Sequence, residues 1–123
     1  MTKVLFIILF FLFNYIYSND FKKVEYYFEN GNISSSGYIR NGKPDGYWIN
    51  YYVTGVKRSE GNRKNYLLDG KWIFFDIVGD TANIIEYKLG KKNGYSYYYK
   101  KDANNASYVY EKILFLDGIK MGK

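Results

Sequence analysis

The sequence predicts an all-β chain, a single-layer antiparallel meander of successive β-hairpins. Three observations carry that expectation: a strand-favouring aromatic composition, glycine paired with Asn or Asp at regular places, and a 24-residue period that runs through several columns at once. The 123 residues include 16 Tyr, 9 Phe and 2 Trp, with 12 Gly and one Pro. Large aromatic and β-branched side chains suit a pleated, half-buried surface. Glycine beside Asn or Asp supplies the positive φ that tight hairpin turns need. The length allows one small domain.

In chain order, the first element is a segment to be set apart from the fold. Met1-Thr2-Lys3 is a short basic start, Val4 to Phe13 is an uninterrupted apolar run, and Ser18 is a small residue ahead of Asn19-Asp20. Such a run is about half of the ~20 residues a membrane-spanning helix needs, and it fits the core of a secretory signal peptide. Residues 1–18 are therefore expected to be a signal peptide and residues 19–123 the exported repeat domain, in the periplasm, the cell envelope or the extracellular medium. Removing residues 1–18 lowers the formal net charge from +6 to +5, because only Lys3 is lost.

The repeat follows. Gly31, Gly55 and Gly79 lie 24 apart, as do Gly46, Gly70 and Gly94. Tyr27, Tyr51, Phe75 and Tyr99 form an aromatic column, Trp48 recurs as Trp72, and Asp45, Asp69 and Asn93 each precede the second glycine of their unit. About four units are expected, the last incomplete. A small insertion between Lys100 and Ser107 sets Gly118 and Gly122 at a spacing of 28 from Gly90 and Gly94.

Each unit reads as a hairpin. An aromatic strand, Tyr47 to Val53, meets the turn Thr54-Gly55; a more polar strand runs from Val56 to Leu67; Leu68-Asp69-Gly70 then turns the chain into the next unit. Alternation places Ile49, Tyr51 and Val53 on one face with Ile73, Phe75 and Ile77 and with Tyr97 and Tyr99, and points Trp48 and Trp72 to the other. The column of Tyr51, Phe75 and Tyr99 is expected to be the core that lets hairpins stack. The tryptophans, with Tyr52 and Tyr98, are candidate stacking platforms for sugar rings.

The run Gly37-Tyr38-Ile39-Arg40-Asn41-Gly42-Lys43-Pro44-Asp45-Gly46-Tyr47-Trp48-Ile49-Asn50-Tyr51-Tyr52, echoed by Gly90-Lys91-Lys92-Asn93-Gly94-Tyr95, resembles the MORN-type repeat. It is most similar to the variant in bacterial proteins labelled YwqK-like antitoxins. The resemblance spans roughly residues 24–123. It implies a hairpin-repeat scaffold that contacts proteins or membrane lipids, and it implies no chemistry. The second unit departs from the pattern, with Tyr66 and Leu67 where Gly-Lys is expected, so that turn is expected to be tighter or differently shaped. The fourth has Ser96 in place of tryptophan.

Function classes narrow accordingly. With no His and no Cys there is no imidazole base, no thiolate, and no soft or imidazole ligand for a metal, so no cofactor and no metal site are expected. Asp45, Asp69 and Asp117 stand beside glycine, where a turn bond is their ordinary role, and Glu25, Glu60 and Glu86 lie among lysines and arginines as solvated partners. No carboxylate pair stands out, and an enzyme is not expected. Arg40, Lys64 and Lys88 share one column, with Lys43, Lys91 and Lys92 nearby. They form a cationic edge that suits anionic lipid or acidic cell-wall polymer and that also keeps an edge strand from pairing. Nucleic acid is disfavoured by the export signal. The expected role is a non-catalytic scaffold for a protein partner at the envelope. A lipid- or glycan-binding module comes second, and an antitoxin component, which an export signal does not suit, third. An open sheet edge also allows self-association.

Overall fold

The structure is a computed structural model that describes residues 20–122, so the signal segment lies outside the described residues. Among the described residues ten antiparallel strands form one open sheet: β1 (Phe21–Tyr27), β2 (Ile33–Arg40), β3 (Lys43–Pro44), β4 (Gly46–Tyr51), β5 (Lys57–Lys64), β6 (Leu67–Phe75), β7 (Thr81–Lys88), β8 (Lys91–Lys101), β9 (Ser107–Leu116) and β10 (Ile119–Lys120). They lie in chain order, except that the short β3 pairs with β2 beside β4. The fold is the expected all-β hairpin meander. Its connections are short because each joins antiparallel neighbours.

Two turn types alternate at opposite ends of the strands. At one end are five-residue loops in which the first N–H donates to the fifth carbonyl and the fourth N–H to the first carbonyl. In Tyr52–Val56 these bonds are 2.8 and 2.9 Å, in Asp76–Asp80 2.8 and 3.0 Å, and in Asp102–Ala106 both 3.0 Å. The fourth residue has positive φ, which accounts for the column Gly31, Gly55 and Gly79 (φ 90°, 96° and 99°), and Asn105 takes the same role at φ 65°. Val53 and Ile77 sit exposed in these loops and not on the apolar sheet face expected of them. The aromatic strand ends at Tyr51.

At the other end are two-residue turns with both φ angles positive: Asn41-Gly42, Asn65-Tyr66, Leu89-Gly90 and Asp117-Gly118. This is the turn whose twist matches that of its strands. The second unit was expected to turn differently, yet it has the same shape, with Tyr66 held at φ 67°. Leu68-Asp69-Gly70, expected to be a turn, lies inside β6. Gly70 marks a bulge there: Glu60 faces Ile73 while Asn62 faces Asp69, so β6 carries two extra residues. The insertion after Lys100 is a longer hairpin, with β8 and β9 extended and the loop itself unchanged.

The core is one transverse row on the tryptophan face. Gly37, Trp48, Gly61, Trp72, Ile85 and Ser96 are all buried, and the register pairs Trp48 with Gly61, Trp72 with Ile85, and Ile85 with Ser96. Each indole covers a glycine of the preceding strand so closely that a Cβ would fall 2.1 Å from the Trp48 ring at Gly37 and 2.5 Å from the Trp72 ring at Gly61. The indole N–H groups donate to Tyr38 O at 3.0 Å and Asn62 O at 2.8 Å. In the next unit the pairing is exchanged: a large residue, Ile85, stands where the glycine was, and a small one, Ser96, where the tryptophan was. The expected core column of Tyr51, Phe75 and Tyr99 is only half-buried, on the opposite face, and Tyr27 is exposed.

Candidate functional site

The burial of the tryptophans removes them as stacking platforms. Trp48 is 6% exposed and Trp72 1%, and both polar atoms are committed to the backbone. Tyr52 is also structural, its hydroxyl donating to Phe75 O at the end of β6 at 2.8 Å. Tyr98 is half-buried on the tryptophan face, 6.5 Å from the Tyr110 ring. The four side chains expected to form one aromatic ladder are not brought together.

The cationic residues are largely gathered, because every two-residue turn lies at the same end of the sheet. Arg40, Lys43, Lys64, Asn41, Asn65 and Asp45 line a shallow hollow of about 310 Å³. Asp45 sits among them, accepting from Arg40 Nε at 3.0 Å and from the Asn65 N–H at 3.2 Å. Its bond to Arg40, with the Asn65 N–H, holds its carboxyl below the usual value. Lys88 and Lys91 face each other across β7 and β8, and Lys91 lies 3.8 Å from Asp117. Lys92 departs from the edge and lies over the Phe115 ring at 4.8 Å.

The residue before each second glycine has a defined job. Asp45, Asp69 and Asn93 accept from the backbone N–H of Asn65, Leu89 and Asp117, respectively, in the following turn. They stitch each turn to the next. Among the other carboxylates, Asp76 and Asp102 cap their own loops, Asp80 pairs with Lys101 at 2.7 Å, and Glu60 pairs with Lys57 at 3.0 Å. Among the described residues no three acids gather closely enough to hold a metal ion.

Two further surfaces are open to binding among the described residues. One is the face opposite the tryptophans, where β4, β6 and β8 present Tyr47, Ile49 and Tyr51, then Lys71, Ile73 and Phe75, then Tyr95, Tyr97 and Tyr99. Tyr47 and Tyr95 are exposed and most of the others half-buried. Lys112 lies 4.0 Å from the centre of the Tyr95 ring. Burial and the nearby Glu60 raise the Tyr47 hydroxyl above its ordinary value, so it stays a neutral donor. The other is a hollow of about 390 Å³ on the tryptophan face, lined by Asn50, Arg58, Ser59, Arg63, Trp72 and Phe74 among others. Sequence reading missed Arg58, Arg63 and Phe74. The signal was their departure from the repeat: Arg63 shares a column with Ile39 and Tyr87, and Phe74 one with Asn50 and Tyr98.

No family model matches this chain, and neither a curated protein nor a solved structure matches it.

Proposed function

We propose that the protein is a non-catalytic repeat scaffold that holds a protein partner at the cell envelope through the tyrosine-rich face. The observation that carries this is the face itself. Three neighbouring aromatic strands hold tyrosine, isoleucine and phenylalanine in fixed register, half-exposed, with Lys57, Glu60, Lys71, Glu86 and Lys112 around them, and no other described strand covers them. Tyrosine supplies large, stiff area with a polar tip, and a rim of mixed charge excludes water and sets orientation. A sheet fixed by backbone hydrogen bonds loses little freedom when a partner docks. The envelope setting rests on the export pattern of residues 1–18, and the resemblance to MORN-type repeats agrees with a scaffold role.

The test is capture from an envelope fraction with the purified domain, alongside binding to anionic liposomes and cell-wall material. A discrete protein retained by the wild type and lost when Tyr47 and Tyr95 are both changed to serine supports the reading. Salt-sensitive retention on liposomes or wall material alone, with no protein partner, overturns it.

A further inference from the structure

We infer that the hollow on the tryptophan face is a binding site for an anionic sugar unit, a ring bearing a carboxylate, such as occurs in acidic glycans. Two guanidinium groups line one cavity that contains no acidic residue. Among the described residues neither Arg58 nor Arg63 forms an ion pair. What sets these two apart is that they share one concave surface with no carboxylate in its lining, so an anion entering it meets two positive charges. Arginine is suited to this role because its planar fork meets a carboxylate with two parallel bonds.

The position of Arg63 is fixed. One Nη donates to Tyr66 O at 2.7 Å, and the guanidinium lies 5.5 Å from the centre of the Trp72 ring. Burial lowers its pKa, as expected for a cation lacking a counter-charge. Phe74, which lines the same hollow, packs against Trp72 with ring centres 6.3 Å apart and contributes an apolar wall for the face of a sugar ring. The other wall asks for hydroxyl groups. Asn50 donates its amide N–H to Ser59 Oγ at 3.0 Å, which leaves its carbonyl oxygen to accept from a ligand hydroxyl. A carboxylate, an apolar ring face and a hydroxyl together describe a uronic acid residue. A volume of about 390 Å³ has room for one such unit and part of a neighbour.

This site is separate from the tyrosine-rich face and does not depend on the protein-partner reading. Together the two faces would let one sheet hold an envelope glycan and a protein at once.

The probe is an oligogalacturonate hexamer, titrated calorimetrically against the intact domain. The fully methyl-esterified hexamer, an acidic peptide of equal charge and phosphatidylglycerol vesicles serve as comparisons. Arg58→Gln is expected to weaken oligogalacturonate binding at least about tenfold, the loss of one charge-assisted pair. Phe74→Leu is expected to weaken it less, and the edge variant Lys43→Gln/Lys64→Gln to leave it unchanged. Arg58 and the two edge lysines are exposed, so these variants keep the fold. The inference is overturned if the hexamer does not bind, if the esterified hexamer binds equally well, if peptide or vesicles bind more tightly, or if the edge variant weakens binding as much as Arg58→Gln.

Discussion

Replacing Gly61 by alanine places a methyl carbon 2.5 Å from Cδ2 and 2.6 Å from Cε2 and Cγ of the Trp72 ring. Carbon atoms rest at about 3.5–4.0 Å, so the ring must withdraw by about 1 Å. The Trp72 N–H bond to Asn62 O, 2.8 Å long, cannot survive that shift. The lost bond costs about 1 kcal/mol and the overpacking about 1–3 kcal/mol, so a total near 2–4 kcal/mol is expected. For a domain whose whole stability is of order 5–15 kcal/mol this is a large fraction. The sign is diagnostic. Gly61 has ordinary strand φ, and a Gly→Ala change at such a site stabilises by about 0.4–1 kcal/mol when nothing obstructs the methyl group. Gly55→Ala is the control: no atom lies within 4 Å of the added carbon, but φ is +96°, so only a backbone cost of about 1–2 kcal/mol applies. Urea unfolding followed by circular dichroism and tryptophan emission measures both. Gly61→Ala equal to or more stable than wild type would refute the seating of Trp72 on glycine.

Ser96 is fully buried and its hydroxyl has no partner, so Ser96→Ala is expected to raise stability by about 1 kcal/mol in the same unfolding assay. Ile85→Gly and Ser96→Trp should each destabilise, whereas the double variant rebuilds a tryptophan over a glycine; a double-mutant cycle should give a favourable coupling of at least about 1 kcal/mol. Tyr66 holds φ 67°, which costs a tyrosine far more than a glycine, so Tyr66→Gly should stabilise by about 0.5–1 kcal/mol despite losing its place under Lys43, 5.5 Å away. The folded-state pKa of Asp45 is depressed, so its contribution is fully present above the unfolded value and is lost as pH falls through the folded one. Asp45→Asn should therefore lower stability at pH 7 by no more than about 1 kcal/mol, given the exposed Arg40 partner, and in urea midpoints the difference should shrink as pH falls through the carboxylate range and vanish once the folded-state carboxyl is protonated.

Period, strand class and the glycine-bearing five-residue loops were legible in the sequence because they recur, whereas the turn expected at Leu68-Asp69-Gly70 was misplaced, since glycine also marks a bulge within a strand. Asn41-Gly42 readily supplies two positive φ angles, and the Gly31, Gly55 and Gly79 column recurs because the same loop recurs. The choice of core face was not legible. Both faces of β4 and β6 carry large apolar side chains, Trp48 against Ile49 and Trp72 against Ile73, so alternation separates them without ranking them. What ranks them is the partner strand: Gly37 and Gly61, 24 apart, clear the space that the indoles fill, and this depends on a register set by the turns together with bulges such as the one at Gly70. Register also brings Arg58 and Arg63 into one hollow, since neither is part of a repeating column of like residues. The cationic edge was legible as a column, but its salt bridges and the departure of Lys92 to the opposite face follow from side-chain directions that spacing does not encode.

The division of work between two faces is tested most directly by site-specific photo-crosslinking in intact cells, with the reactive group introduced at Tyr95 on one face and at Phe74 on the other. The account predicts that the Tyr95 position traps a single protein species that the Phe74 position does not. Trapping of the same species from Phe74 and not from Tyr95, or of no protein from either, would contradict it.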